Sequence, residues 1–180
     1  MATPEEALRA HLDAVPRGVS GWKQFEDAAA NALRHLFVPP LADPILQARS
    51  YSGIDRRDAI FPNRNHGVPN HWGRLLHELD ARMVLVEFKN YDSQEVAKDE
   101  VNQTRNYLTK PMGRLALMVS TNEPNHAAQV KRNSVYSEDR EVIVFLSVEH
   151  LKEMLYMKER GEDPADLIMD AVERFYIEWE

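Results

Sequence analysis

An α/β protein, a mixed β-sheet sandwiched by helices, is predicted by three features of this 180-residue chain. Short β-branched and apolar runs, MVLVEFK at 83–89 and LALMVS at 115–120, read as strands too short and too uniformly apolar for surface helices. Longer segments with apolar residues at three- and four-residue spacing separate them. Taken in order, the segments give αα-βββ-α-β-α-β-αα, a pattern that places helices on both faces of one sheet. No repeat or linker divides the chain, so a single domain over 1–180 is expected.

Each element has a local cause. Thr3-Pro4-Glu5-Glu6 carries a cap, a proline at the first helical position and a capping-box glutamate, so a helix is expected to Val15, stopped at Pro16-Arg17-Gly18. A second helix is expected over Ser20–Phe37, with Trp22, Phe25, Ala29, Leu33 and Leu36 on one face and Pro39-Pro40 beyond its end. Strands are expected at Ile45–Tyr51, Arg57–Phe61 and Met83–Lys89, with a short helix at Leu75–Leu79 between the last two. Ser93 or Asp92 is positioned to cap a helix from Gln94 to Leu108. Strand Leu115–Ser120, helix Pro124–Tyr136, strand Val142–Leu146 and helices Val148–Glu159 and Ala165–Trp179 follow. The last two carry apolar stripes that read as core or as a dimer seam.

Composition removes several function classes. The chain has no cysteine, which excludes disulfide scaffolds, thiol nucleophiles and cysteine-type zinc sites. No run of about 18 apolar residues supports a membrane span, and the first residues lack a secretory pattern, so a cytoplasmic protein is expected. The net charge of −7 argues against gripping nucleic acid by the overall field. The charge is uneven, however: Arg49 to Arg132 holds 13 Lys and Arg against 10 Asp and Glu, so the acidic excess lies outside the middle of the chain. A local basic face of that kind can still engage phosphate. Nucleotide P-loop, dinucleotide-binding and hydrolase-elbow motifs are absent. His66, His71 and His77 cluster, but at spacings that match neither a one-turn helical zinc pair nor a finger.

The chemistry concentrates in MVLVEFKN. In a strand, residues two apart share a face, so Glu87 and Lys89 project together while Phe88 enters the opposite layer. A lone strand-end ion pair would explain that much. Asp58 adds a second carboxylate one strand earlier. If the two strands pair, Asp58 and Glu87 can share a divalent cation, Mg²⁺ being held through oxygen ligands and few carboxylates. Lys89 then sits where it can stabilise negative charge or assist a water, and the Phe88 carbonyl is a further oxygen donor. Asp55 is the alternative first ligand; Asp58 is preferred because the apolar Ala-Ile-Phe run begins directly after it. Arg56 and Arg57 flank it as candidate phosphate clamps.

Asp58 with Glu87-x-Lys89 resembles the PD-(D/E)xK phosphodiesterase superfamily of restriction endonucleases and repair nucleases. Its αβββαβ core corresponds to about residues 20–120, and the VEFKNY segment is similar to the form found in Mrr-like enzymes. The proline usual before the first aspartate is replaced by Arg57. The resemblance implies that Glu26, in the Phe25-Glu26 context of the first core helix, reaches the metal site, with Asp27 its competitor. It also implies that Gln103 and Tyr107, a Q-x-x-x-Y pair as in RecB-like members, contact substrate from one helix face.

On that resemblance the chain is expected to be a Mg²⁺-dependent endonuclease, with Mn²⁺ able to substitute, acting on nucleic acid and most readily DNA. A restriction or phage-defence role, a homodimer and a targeting or activating partner protein fit a nuclease of this size. Two alternatives stay open: a non-catalytic binding or assembly subunit that keeps the fold, and a Holliday junction resolvase-like enzyme.

Overall fold

The computed structural model describes residues 2–179. Its centre is one five-stranded mixed sheet in the order β1-β2-β3-β4-β5. The strands are β1 (Ile45–Arg49), β2 (Arg56–Pro62), β3 (Met83–Lys89), β4 (Leu115–Ser120) and β5 (Val142–Ser147). β1, β2 and β3 pair antiparallel; β3, β4 and β5 pair parallel. The switch follows from the connections. A short loop joins β1 to β2, whereas α4 (Lys98–Tyr107) and α5 (His126–Asp139) return the chain for each parallel step. The α/β sandwich expected from the sequence is the architecture found.

Two apolar layers cover the sheet. Val84, Val86 and Phe88 of β3 face the larger one, built by α1 (Pro4–Ala14), α2 (Trp22–Phe37), α3 (His71–Leu79), α6 (Val148–Glu159) and α7 (Ala165–Glu178). Leu85 of β3, with Ala116 and Met118 of β4, faces the smaller layer under α4 and α5. Phe88 packs edge-on against Phe25 of α2, which fixes the end of β3 against that helix. The strict alternation along β3 thus carries Glu87 to the α4 side and buries Phe88 beneath α2.

Several element boundaries differ from expectation, each for a local reason. β1 ends at Arg49, because Ser50 and Gly53 close a turn through Gly53 N–H to the Ser50 carbonyl and Ser50 N–H to the Asp55 carbonyl. β2 starts at Arg56, one residue earlier than expected, so Asp58 is its third residue. α3 begins at His71, four residues earlier than expected, since the Asn70 side chain caps the Gly73 N–H. α4 starts at Lys98, and neither Asp92 nor Ser93 caps it. Val96 is held extended in a parallel bridge to Pro124, and the Glu100 carboxylate accepts from the Ala97 N–H instead. α2 starts at Trp22 after a single 3₁₀ turn at Val19–Gly21. α5 runs from His126, capped by Asn125, to Asp139. Among the described residues, no helix is long and apolar enough to cross a membrane.

Candidate functional site

The β2–β3 ladder pairs Ala59 with Val86 and Ile60 with Leu85, so the next step brings Asp58 opposite Glu87. There the ladder gives way to side chains. The Asp58 N–H donates to the Glu87 carboxylate at 3.4 Å, and the Phe88 N–H donates to the Asp58 carboxylate at 3.0 Å. Each acid is thus fixed by the main chain of the other strand. In a strand, the N–H and C=O of one residue face the same neighbour, so the Phe88 carbonyl is directed toward the same gap.

The electrostatics are unusual for a strand end. Glu87 is 2% exposed, and burial together with the Asp58 charge pushes its carboxyl up to about 8. Burial also raises Asp58, against the pull of the Phe88 N–H and of the Lys89, Arg56 and Lys23 charges. Two close, poorly solvated carboxylates of this kind disfavour joint ionisation, and a cation between them removes that cost.

Lys89 lies beside the pair, its Nζ 3.7 Å from Glu87 Oε2. It donates to Gln103 Oε1 at 2.8 Å, and Gln103 Nε2 donates to the Tyr107 hydroxyl at 2.9 Å. The i, i+4 spacing on α4 therefore makes a relay that holds the lysine, on the same helix face from which substrate contact is expected.

Two arginines diverge. Arg57 is buried, and its Nε donates to the Tyr107 main-chain carbonyl at 3.0 Å. It braces β2 against α4, and its guanidinium is not presented as an open phosphate clamp. Arg56 is exposed and is one of the charges acting on Asp58.

Glu26 is buried on α2. Its Oε1 accepts from Lys23 Nζ at 3.1 Å and from the Gln47 amide. No hydrogen bond or ion pair joins it to Asp58 or Glu87 among the described residues. Asp27 is tied to Lys23 at 2.9 Å.

Two further residues, Gln47 and Asn90, shape the surroundings of the site. Gln47 lies opposite Asp58 in the β1–β2 register, where the ladder skips a pair, and it adopts φ 55°. A non-glycine residue in that region is uncommon and is kept by its surroundings. The kink turns its side chain to Glu26 while Ala48, the next residue, packs on the α4 side. Asn90, directly after Lys89, is buried and brackets the α1–α2 loop: its amide donates to the Pro16 carbonyl at 2.9 Å and the Gly18 carbonyl at 3.1 Å, and its oxygen accepts from the Gly18 N–H at 3.3 Å. Only the polar character of Asn90 at a buried strand end hinted at this, and nothing in the sequence signals the backbone of Gln47.

Among the described residues, His71 is the one of the three clustered histidines that joins a group of metal-capable ligands, with Asp163 before α7 and Asp166 in its first turn. His71 is half-buried and the two aspartates are exposed, and the group includes neither Asp58 nor Glu87.

Comparison with known proteins bears on the fold. Over 89% of the chain, the structure of restriction endonuclease FokI bound to DNA superposes with a TM-score of 0.57 at 14% identity, covering 31% of the FokI chain. A second FokI structure superposes with a TM-score of 0.55 at 12% identity. The fold is restriction endonuclease-like. By sequence, the chain is 28% identical over 165 residues to the 80.3 kDa protein of transposon gamma-delta from Escherichia coli (strain K12). That alignment takes in 89% of this chain and 23% of the relative, so the chain spans about a quarter of the protein it matches. No family model matches the chain.

Proposed function

We propose that the chain is a divalent-metal-dependent nuclease of the PD-(D/E)xK type acting on DNA. The observation that carries this reading is the cross-strand pair: Asp58 and Glu87 are locked by each other's main chains, with Lys89 two residues on. A structural ion pair would not bury two mutually repelling carboxylates beside one lysine. The donor set is hard oxygen throughout, two carboxylates and the Phe88 carbonyl, which suits Mg²⁺ with Mn²⁺ as a substitute. A bound ion supplies Lewis-acid charge at the phosphate.

The residues of the chain do the rest. Asp58 and Glu87 are held in place by backbone N–H groups, which limits the reorganisation that accepting a cation would demand. Lys89 offers a fixed positive charge beside the carboxylates, where it stabilises the charge that builds on the phosphate oxygens or steers a water's proton. Gln103 fixes its ammonium, and Tyr107 fixes Gln103. Arg56 and Lys23 add positive potential at Asp58 and suit a polyanionic substrate.

DNA is preferred as substrate because the superposed FokI structure is a DNA complex and the E. coli relative is a transposon protein by name. A role for this fold as the cutting module of a larger protein fits the quarter-length match. The test is cleavage of plasmid and oligonucleotide DNA with Mg²⁺ or Mn²⁺ by the wild type, Asp58→Asn, Glu87→Gln and Lys89→Ala. Cleavage by the wild type, lost in all three variants and in EDTA, is expected. Equal cleavage by all four would remove these residues from the chemistry.

A further inference from the structure

The loop joining β1 to β2 carries two large apolar side chains with nothing to cover them. Tyr51 is fully exposed and Ile54 is 84% exposed. At Gly53 between them, no atom lies within 4 Å of where a Cβ would stand, so the tip projects clear of the fold. It is nonetheless built. Besides the two main-chain bonds across the turn, Ser50 Oγ accepts from the Asp55 N–H at 3.2 Å and lies 3.1 Å from Ser52 Oγ. A preformed tip loses little conformational entropy when it meets a ligand.

The stem below the tip is basic. Arg49 and Arg56 are direct cross-strand partners. Like charges in that relation are unfavourable, with Cβ atoms about 5 Å apart. Among the described residues, neither guanidinium has an ion-pair or hydrogen-bond partner. An anion placed between them relieves the repulsion. Arg56 stands two residues, roughly 6.6 Å of strand, from Asp58, and its charge acts on the Asp58 carboxylate. A phosphate held by the pair would thus neighbour one held at the carboxylates.

We infer that this hairpin is a substrate-reading finger: Arg49 and Arg56 hold the phosphate next to the cleaved one, and Tyr51, flanked by Ile54, stacks on an unpaired base. The inference rests on the nuclease reading and adds a substrate class to it, DNA with unpaired bases beside the cut, such as a flap, a branch or a single strand. A tyrosine ring needs the face of a base. Intact duplex offers only edges, and wedging into it costs unstacking, whereas an unpaired base presents its face freely.

The test measures binding without metal, so that cleavage plays no part. Fluorescence anisotropy in EDTA compares a labelled blunt duplex, a flapped duplex and a single strand. The wild type is expected to hold the flap and the single strand about tenfold or more tighter than the blunt duplex. Tyr51→Ala should weaken those two about five- to a hundredfold and leave the blunt duplex unchanged, with Tyr51→Trp restoring the preference. Arg49→Ala with Arg56→Ala should weaken all three and lower the salt slope by about 1.5. Equal affinity of the wild type for all three DNAs, or an unaltered preference in Tyr51→Ala, overturns the inference. So does a dimer that Tyr51→Ala disperses without changing DNA binding. DNA cleavage by the wild type with no Tyr51 effect overturns the finger alone. Finger-dependent binding without cleavage in Mg²⁺ or Mn²⁺ upholds the finger and overturns the nuclease reading.

Discussion

Asp58 donates its main-chain N–H to the carboxylate of Glu87, at 3.4 Å across the end of the β2–β3 ladder. The two acids therefore face each other as a property of strand register and not of flexible side-chain choice. A one-residue slip would send Glu87 to the packed α2 face and destroy the pair.

The first prediction concerns ion binding. Saturating Mg²⁺ or Mn²⁺ should raise the thermal midpoint of the wild type, since a ligand at a hundred times its dissociation constant stabilises by about 2.7 kcal/mol. Asp58→Asn and Glu87→Gln should abolish that rise. Differential scanning fluorimetry with and without metal checks it; an unchanged rise in both variants would move the ion elsewhere.

The second prediction concerns pH. The folded Glu87 carboxyl, at about 8, lies above its ordinary value of 4.5, so ionising it opposes folding. Its contribution to stability is intact below about 4.5 and is lost as pH rises toward 8. The metal-free wild type should therefore weaken across that window by on the order of a few kcal/mol. Glu87→Gln should flatten this dependence and make the metal-free protein more stable than the wild type at pH 8. Urea unfolding at pH 5 and pH 8 in EDTA reads both effects.

Much of this arrangement is legible in the sequence, and the reason is periodicity. Alternation in MVLVEFK puts Glu87 and Lys89 on one face and Phe88 on the other, and the apolar run after Asp58 places that residue in the neighbouring strand. What is not legible depends on three-dimensional partners. The resemblance takes Glu26 to the metal site, and nothing in the sequence shows that Lys23 and Gln47 accompany it into a buried position. Arg57 reads as a surface clamp, but its guanidinium finds a carbonyl on α4. The start of α4 is displaced because Val96 is drawn into a bridge with Pro124, a contact 28 residues away in sequence. Strand patterns reveal which side chains share a face; they carry no trace of a single left-handed residue such as Gln47.

The third prediction separates bracing from chemistry. Arg57→Ala removes a buried hydrogen bond to the Tyr107 carbonyl and should cost about 1–3 kcal/mol of stability. Asn90→Ala strands three main-chain partners in the α1–α2 loop and should cost at least as much. Chemical denaturation measures both, and a loss below about 0.5 kcal/mol in either would contradict the bracing role.

A fourth prediction concerns the lysine relay. Lys89→Ala should abolish cleavage while leaving metal-induced stabilisation in place. Gln103→Ala should lower the cleavage rate about ten- to a hundredfold by releasing the Lys89 ammonium, and Tyr107→Phe should lower it less. Single-turnover cleavage assays rank the three; a Tyr107→Phe defect as deep as that of Lys89→Ala would place Tyr107 in the chemistry itself.

The most direct measurement is anomalous diffraction from crystals soaked in Mn²⁺. The account predicts an anomalous peak between the carboxylates of Asp58 and Glu87, within bonding distance of both and absent in Glu87→Gln. A peak confined to His71, Asp163 and Asp166, or a fully soaked crystal with no density between Asp58 and Glu87, would contradict it.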